Sequence, residues 1–203
     1  LRHSLGLSVR HKNIKLNNWH VGNPTQTKRK LAMADSTKIA NLLKDSHGDL
    51  SWQREFYEDL HAHPELSHEE ERTAGRILER LRTFDCEIVQ PIGGFGAVAI
   101  FRNGPGPTAL FRADFDGLPV QEETAVAYAS RNGNMHACGH DMHTTALLGA
   151  CALLDAHRDA WSGTFLALFQ PAEESSMGAK YMLADSLTTR VPKPDIRLGQ
   201  HVM

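Results

Sequence analysis

The chain has 203 residues, 41% of them hydrophobic and 23% charged, with a formal net charge of −2. This balance reads as a soluble globular protein of one or two domains. No apolar run approaches the roughly 18 residues a membrane span needs, and three cysteines (Cys86, Cys138, Cys151) are too few for a disulfide scaffold.

The charge is unevenly placed. Residues 1–34 hold seven bases and no acid, which leaves 15 bases against 24 acids in the rest. The arm reads as a disordered or non-native extension upstream of Met33, with an organellar transit segment or an anionic-surface binder as alternatives. The folded body is then expected over residues 35–203. That body is acidic and shows no basic stripe interleaved with aromatics, which argues against nucleic acid as a partner. The sparse cysteines point to a reducing compartment, and a cytoplasmic location is expected.

Residues 48–63 predict a first helix with Ser51 as its cap, because Trp52, Phe56 and Leu60 recur every four residues and Pro64 follows. Residues 67–70 read S-x-x-E, a capping box opening a second helix. On that helix Ala74, Ile77, Leu78 and Leu81 share one face, and Arg72, Arg76, Glu79 and Arg80 lie mostly opposite, as a solvated surface. Short strands are expected at 87–90, 97–101 and 108–111. The last two flank the turn-rich R-N-G-P-G-P (residues 102–107), which predicts a hairpin between them. Residues 141–157 read as a helix with Ala146, Leu147, Ala150, Leu153 and Leu154 inward. Residues 164–170 read as a buried strand, 178–185 as a short helix and 195–202 as a last apolar strand. Strands alternating with helices predict an α/β layered domain, whose ligands bind beyond the strand C-termini.

The candidate chemistry falls at those ends. The run M-H-A-C-G-H-D-M-H (residues 135–143) packs a thiol, three imidazoles and a carboxylate into nine residues. Its Cys-x-His order differs from the Cys-x-x-Cys of a structural zinc finger. Cys138 and His140 can face one point from a turn, whereas within a helix they would diverge by about 200°. The pair is therefore expected just ahead of a helix starting near Asp141. The adjacent acids Glu173 and Glu174 follow an apolar strand, where a metal would supply the charge that makes the pair tolerable. One could ligate while the other serves as general base; the plainer alternative is a solvated acidic loop. His201 ends the last strand, as a ligand or as a core histidine. Asp114 and Asp116 read as ligands, as partners of a ligating histidine or as turn-formers. His136, Asp141 and His143 are equally open, with His143 one helical turn beyond His140. The glycines at 93, 94 and 96 precede a strand and fail the dinucleotide-loop pattern.

Four motifs then occur in a recognisable order: R-A-D-F-D-G-L-P-V-Q-E (residues 112–122), M-H-A-C-G-H-D-M-H (135–143), F-Q-P-A-E-E (169–174) and G-Q-H-V (199–202). With the H-x-H-P-E-L-S pattern near residues 61–67, they resemble the metal-dependent amidohydrolases and metallopeptidases that include hippurate hydrolase, N-acyl-amino-acid amidohydrolases and indole-acetyl-amino-acid hydrolases. The resemblance covers residues 49–203. It implies a zinc-peptidase-like α/β catalytic domain with a mixed central sheet flanked by helices, truncated before a lid or dimerisation domain. It further implies two divalent ions (zinc, manganese, cobalt or nickel) held by Cys138, His140, Glu174 and His201, with Glu173 as the catalytic base. The implied reaction is hydrolysis of the amide bond of an N-acyl amino acid by metal-activated water. A homodimeric parent, a small-molecule substrate and inactivity of this stretch on its own follow from the same resemblance. Three departures stand out: Phe115 where the family usually has Met, Gln200 in its G-L-H-V motif, and Ser175-Ser176-Met177 in place of a Gly-rich loop.

Overall fold

The structure, a computed structural model, describes residues 51–202; the basic arm and the expected helix start at 48–50 lie outside them. Helix α1 (Ser51–Ala62) and helix α2 (Glu71–Leu81) come first. Strands β1 (Glu87–Ile92), β2 (Gly96–Asn103) and β3 (Thr108–Asp114) follow. Helix α3 (His140–Ala156) precedes β4 (Gly163–Gln170), and the short helices α4 (Gly178–Ala184) and α5 (Leu187–Arg190) lead to β5 (Ile196–Gly199).

The strands form one mixed sheet in the order β1-β2-β4-β3-β5. The expected hairpin between β2 and β3 does not form, because β4 lies between them, antiparallel to β2 and parallel to β3. The turn at residues 102–107 instead spans the width of β4, and the actual hairpin is β1–β2, closed around Gly93 and Gly94. Local turn chemistry marks where a strand stops; it does not choose the strand's neighbour. β3, β4 and β5 run parallel, so their C-termini share one edge of the sheet.

Period-2 alternation on β2 and β4 divides the core into two layers. Ala99, Phe101, Ala167 and Phe169 face one side and pack with Phe56, Leu60, Ile77, Leu81, Leu147 and Leu148 of the three long helices. Val98, Ile100, Leu166 and Leu168 face the other side, against Met182 of α4 and partly buried Leu187 of α5. Phe115 is fully buried in the first layer.

Helix α1 buries Phe56 and Leu60 and α2 buries Ala74, Ile77 and Leu81, as their spacing predicts. The inward face of α3 differs from expectation: Ala146 is exposed, while Leu147, Leu148 and Cys151 are buried. The stripe is displaced because polar His140, Asp141, His143 and Thr144 are themselves buried. The capping box at 67–70 is not made. Helix α2 receives its cap from Glu65, whose carboxylate accepts the amides of Arg72 (3.0 Å) and Thr73 (2.7 Å). All four residues of β5, the last strand of the described sheet, are exposed in this chain.

All three cysteines are free. No helix among the described residues is long and apolar enough to cross a membrane.

Candidate metal centre

The shared edge of β3, β4 and β5 collects the polar residues. Asp114 closes β3, with Asp116 two residues beyond; Glu173 and Glu174 follow the end of β4; His201 follows β5. The crossover from β3 to α3 folds back on itself. Leu118 and Met135 exchange both backbone hydrogen bonds (2.9 Å each), and Gly117 donates to Glu65 O at 2.7 Å. This doubling carries Cys138 and His140 back beside Asp116. Gly139, between them, adopts φ 70 as the residue ahead of α3. A Cβ there would approach Val202 Cγ2 to 2.3 Å, so both the left-handed conformation and the close approach call for glycine. Cys138 thus lies just ahead of the helix, as the spacing predicts, and His140 is its first residue.

Three sets of donor atoms come within 4.8 Å of one another: Cys138, His140 and Glu174; Asp114, His140 and Glu173; and His140, His143 and His201. His140 is common to all three. Of the five residues expected at the site, Cys138, His140 and Glu174 meet directly. Glu173 and His201 each join through His140.

The hydrogen bonds orient these groups. His140 Nδ1 donates to Asp116, at 2.9 Å to the backbone oxygen and 3.2 Å to Oδ1. Nε2, on the other side of the ring, is buried and has no hydrogen-bond partner among the described residues. Glu174 Oε1 is likewise buried and unpartnered, 3.8 Å from His140 Nε2. That separation is too long for a hydrogen bond, but it suits two ligands each about 2.0–2.2 Å from one ion. Burial would lower the His140 pKa, but the hydrogen bond to Asp116 and the charges of Asp114, Asp116 and Glu174 raise it, so the pocket favours a cation at this ring. Burial first, then the hydrogen bond and charge of Glu174, push the Cys138 thiol up to about 12. Only a bound cation would convert it to thiolate near neutrality. A thiol, an imidazole nitrogen and a carboxylate oxygen within 4.8 Å of one another, in a pocket that favours positive charge, fit a transition metal.

The neighbouring residues orient this set. Asp116 is buried, which would raise its pKa, yet hydrogen bonds from His140, Ser67 Oγ (2.7 Å) and the Glu174 amide (2.9 Å) bring it down to about 2. Asp114 is also held below the ordinary carboxylate range. Its burial is outweighed by the His143 hydrogen bond (2.6 Å) and by Arg112, whose Nη1 lies at 2.6 Å. His143 donates from Nδ1 to Asp114 and accepts the Val202 amide at Nε2 (3.0 Å). It therefore ties the exposed segment after β5 to the buried site. Glu173 is more open; its carboxylate stands 4.0 Å from Arg112 Nη2 and 3.9 Å from His140 Nε2.

Sequence reasoning left several contributors unnoticed. Arg112 alternates with Asp114 on β3, a signal visible in the strand pattern. His61 bridges Asp141 (2.6 Å) and Glu122 (3.0 Å), joining α1 to the start of α3 and to the crossover loop. Burial would lower the His61 pKa, but these two carboxylates raise it. Partners 61 and 80 residues away leave no local trace in the sequence.

Residues 110–203 match the Peptidase family M20/M25/M40. The N-acetylcysteine deacetylase of Bacillus subtilis is 40% identical over 151 residues, 70% of this chain and 40% of that protein. Thermostable carboxypeptidase 2 of Saccharolobus solfataricus is 39% identical over 170 residues, 81% of this chain and 42% of that protein. The crystal structure of the Bacillus subtilis YXEP protein, a dinuclear metal binding peptidase from the M20 family, matches with a TM-score of 0.66 and 35% identity, over 84% of this chain and 44% of that one. The chain spans less than half the length of these relatives. With its motifs in order, its strand-end cluster and this likeness, the chain belongs to peptidase family M20/M25/M40.

Proposed function

We propose that the protein is a metal-dependent hydrolase of the amide bond in N-acyl amino acids. In this reading Cys138, His140, Glu174 and His201 hold two divalent ions and Glu173 is the general base. The observation that carries it is the pair of buried, unpartnered donors, His140 Nε2 and Glu174 Oε1, beside Cys138. A bound ion supplies Lewis acidity, which lowers the pKa of water and polarises a carbonyl. Glu173 is suited to take and return a proton because it is half-exposed at the rim and its carboxylate makes no competing hydrogen bond among the described residues. Arg112 lies near enough to steady its charge, and Asp114 neutralises most of that arginine.

The deacetylase relative favours an N-acyl amino acid as substrate; the carboxypeptidase relative, at nearly the same identity, keeps a peptide substrate as the second reading. The whole protein would act as a homodimer, with a mass measurable by light scattering. The test uses the full-length protein, loaded with zinc or manganese, against N-acetyl, N-benzoyl and indole-acetyl amino acids and against dipeptides. Glu173→Gln is expected to keep its metal and lose about 10²–10⁴-fold in kcat. Normal turnover in that variant would sink the base assignment. Cleavage of dipeptides alone would replace the first reading with the second.

A further inference from the structure

Among the described residues, no hydrogen bond to its carboxylate aims the base. Its carboxylate stays at 4.0 and 3.9 Å from the nearest cationic groups, and both exceed hydrogen-bond range. Its direction must therefore come from the backbone of the loop after β4. That backbone is bent twice into the left-handed region, at Ala172 (φ 51) and Ser176 (φ 59), neither of them glycine. Such conformations persist only where surrounding contacts over-determine them.

Those contacts converge from one short segment, residues 67–70. Glu70, fully buried, accepts the Ala172 amide at Oε1 (2.7 Å). Ser67 donates to Asp116 Oδ2, the same oxygen that accepts the Glu174 amide. His68, itself at φ 74, meets Ser175 Oγ at 3.2 Å. Inside the loop, Ala172 O accepts from the Gly178 amide (3.0 Å) and from Ser175 Oγ (3.1 Å). A cavity of about 300 Å³ is lined in part by His68, Glu70, Phe95, Tyr181 and Pro171 at the start of the loop. A buried carboxyl group is costly unless it is hydrogen-bonded. Here the bond it makes is to the residue preceding the base.

We propose that residues 67–70 are a clamp that aims the general base, with Glu70 as its positioning residue. The proposal rests on the reading of Glu173 as base. Glu70 touches no reacting group; it holds the Ala172 amide, and so the Cα–Cβ direction of Glu173. This gives the segment a different purpose from the helix cap its sequence suggests.

The test compares Glu70→Ala and Glu70→Gln in the metal-loaded, full-length protein. Glu70→Ala should lower kcat by about 100-fold, the scale of an ångström-sized misplacement, with KM and metal stoichiometry unchanged. Glu70→Gln retains an acceptor oxygen and should recover most of that loss. Hydrogen exchange at the Ala172 amide should be slow in the parent and in Glu70→Gln, and fast in Glu70→Ala. An unchanged kcat in Glu70→Ala, an equal loss in Glu70→Gln, or a slow Ala172 amide in Glu70→Ala would overturn the clamp. If Glu70→Ala does not fold, the Glu70→Gln protein decides: fast Ala172 exchange there overturns the proposal and slow exchange supports it. Glu173→Gln separates the two readings. Its full activity would remove the base assignment, whereas loss of Ala172 protection in Glu70→Ala would still uphold the clamp on the loop.

Discussion

The donor groups come from two unlike regions. Cys138, His140 and Glu174 stand where two helices, a doubled-back crossover and the loop after β4 close on one another, and each polar neighbour there is tied to a second element. His201 stands beyond β5, an edge strand exposed at all four residues, and is itself exposed. Besides the pairing of β3 with β5, His143 links the regions by hydrogen bonds, to Asp114 on the buried side and to the Val202 amide on the exposed side. The contrast teaches that preorganisation is a matter of crossing hydrogen bonds rather than of donor type. Two histidines with the same chemistry sit at opposite ends of that scale.

Substitutions can break or sharpen the contrast. The largest effect is expected at His140, which is common to all three donor sets. His140→Ala should weaken metal binding beyond the 10–100-fold typical of outer partners and lower the thermal midpoint of metal-free protein, since Asp116 loses its buried partner. His201→Ala should leave an ion at Cys138, His140 and Glu174 and leave the metal-free midpoint unchanged. Metal analysis after dialysis, with thermal melts, would show it; equal losses in the two variants would erase the distinction.

A pair of glycines gives the next test. A Cβ on Gly178 would fall 1.6 Å from Pro171 O, whereas on Gly199 the nearest atom, Arg112 O, is 4.0 Å away. Gly178→Ala is expected to cost about 3 kcal/mol in denaturant unfolding and Gly199→Ala to stay within about 0.5 kcal/mol. Comparable costs would mean that the edge is as tightly determined as the loop.

The smallest effect concerns α1 and α2, away from both regions. Asp59 is partly buried, which would raise its pKa, but hydrogen bonds from Arg72 (2.5 Å) and Arg76 (3.0 Å) bring it below the ordinary value. Because the folded pKa is the lower one, its contribution is complete above the unfolded value, about 3.9, and fades as pH falls through the folded one. Asp59→Asn should lower the melting temperature at pH 7 and flatten its decline below about pH 4. An unchanged acid profile would refute this.

Much of this was legible in the residues. The apolar run at 164–170, the four-residue spacing of Phe56 and Leu60 and the placement of Cys138 just ahead of a helix each announce local geometry, because backbone period decides which side chains share a face. The family motifs named the five candidate residues of the site. Other features were illegible for one reason. β4 inserts between β2 and β3, the cap of α2 comes from Glu65, and Glu70 reaches Ala172 across 102 residues.

The sequence by itself determined the long helices, the strands, the donor types and their placement at strand ends. Only the tertiary structure decided which strands are neighbours, which histidine is buried and which is exposed, and that residues 67–70 hold the loop of the base instead of capping a helix. Periodicity and turn chemistry act between residues close in the chain. A hydrogen bond between distant segments forms only once the sheet has brought them together, and it then outcompetes the local alternative.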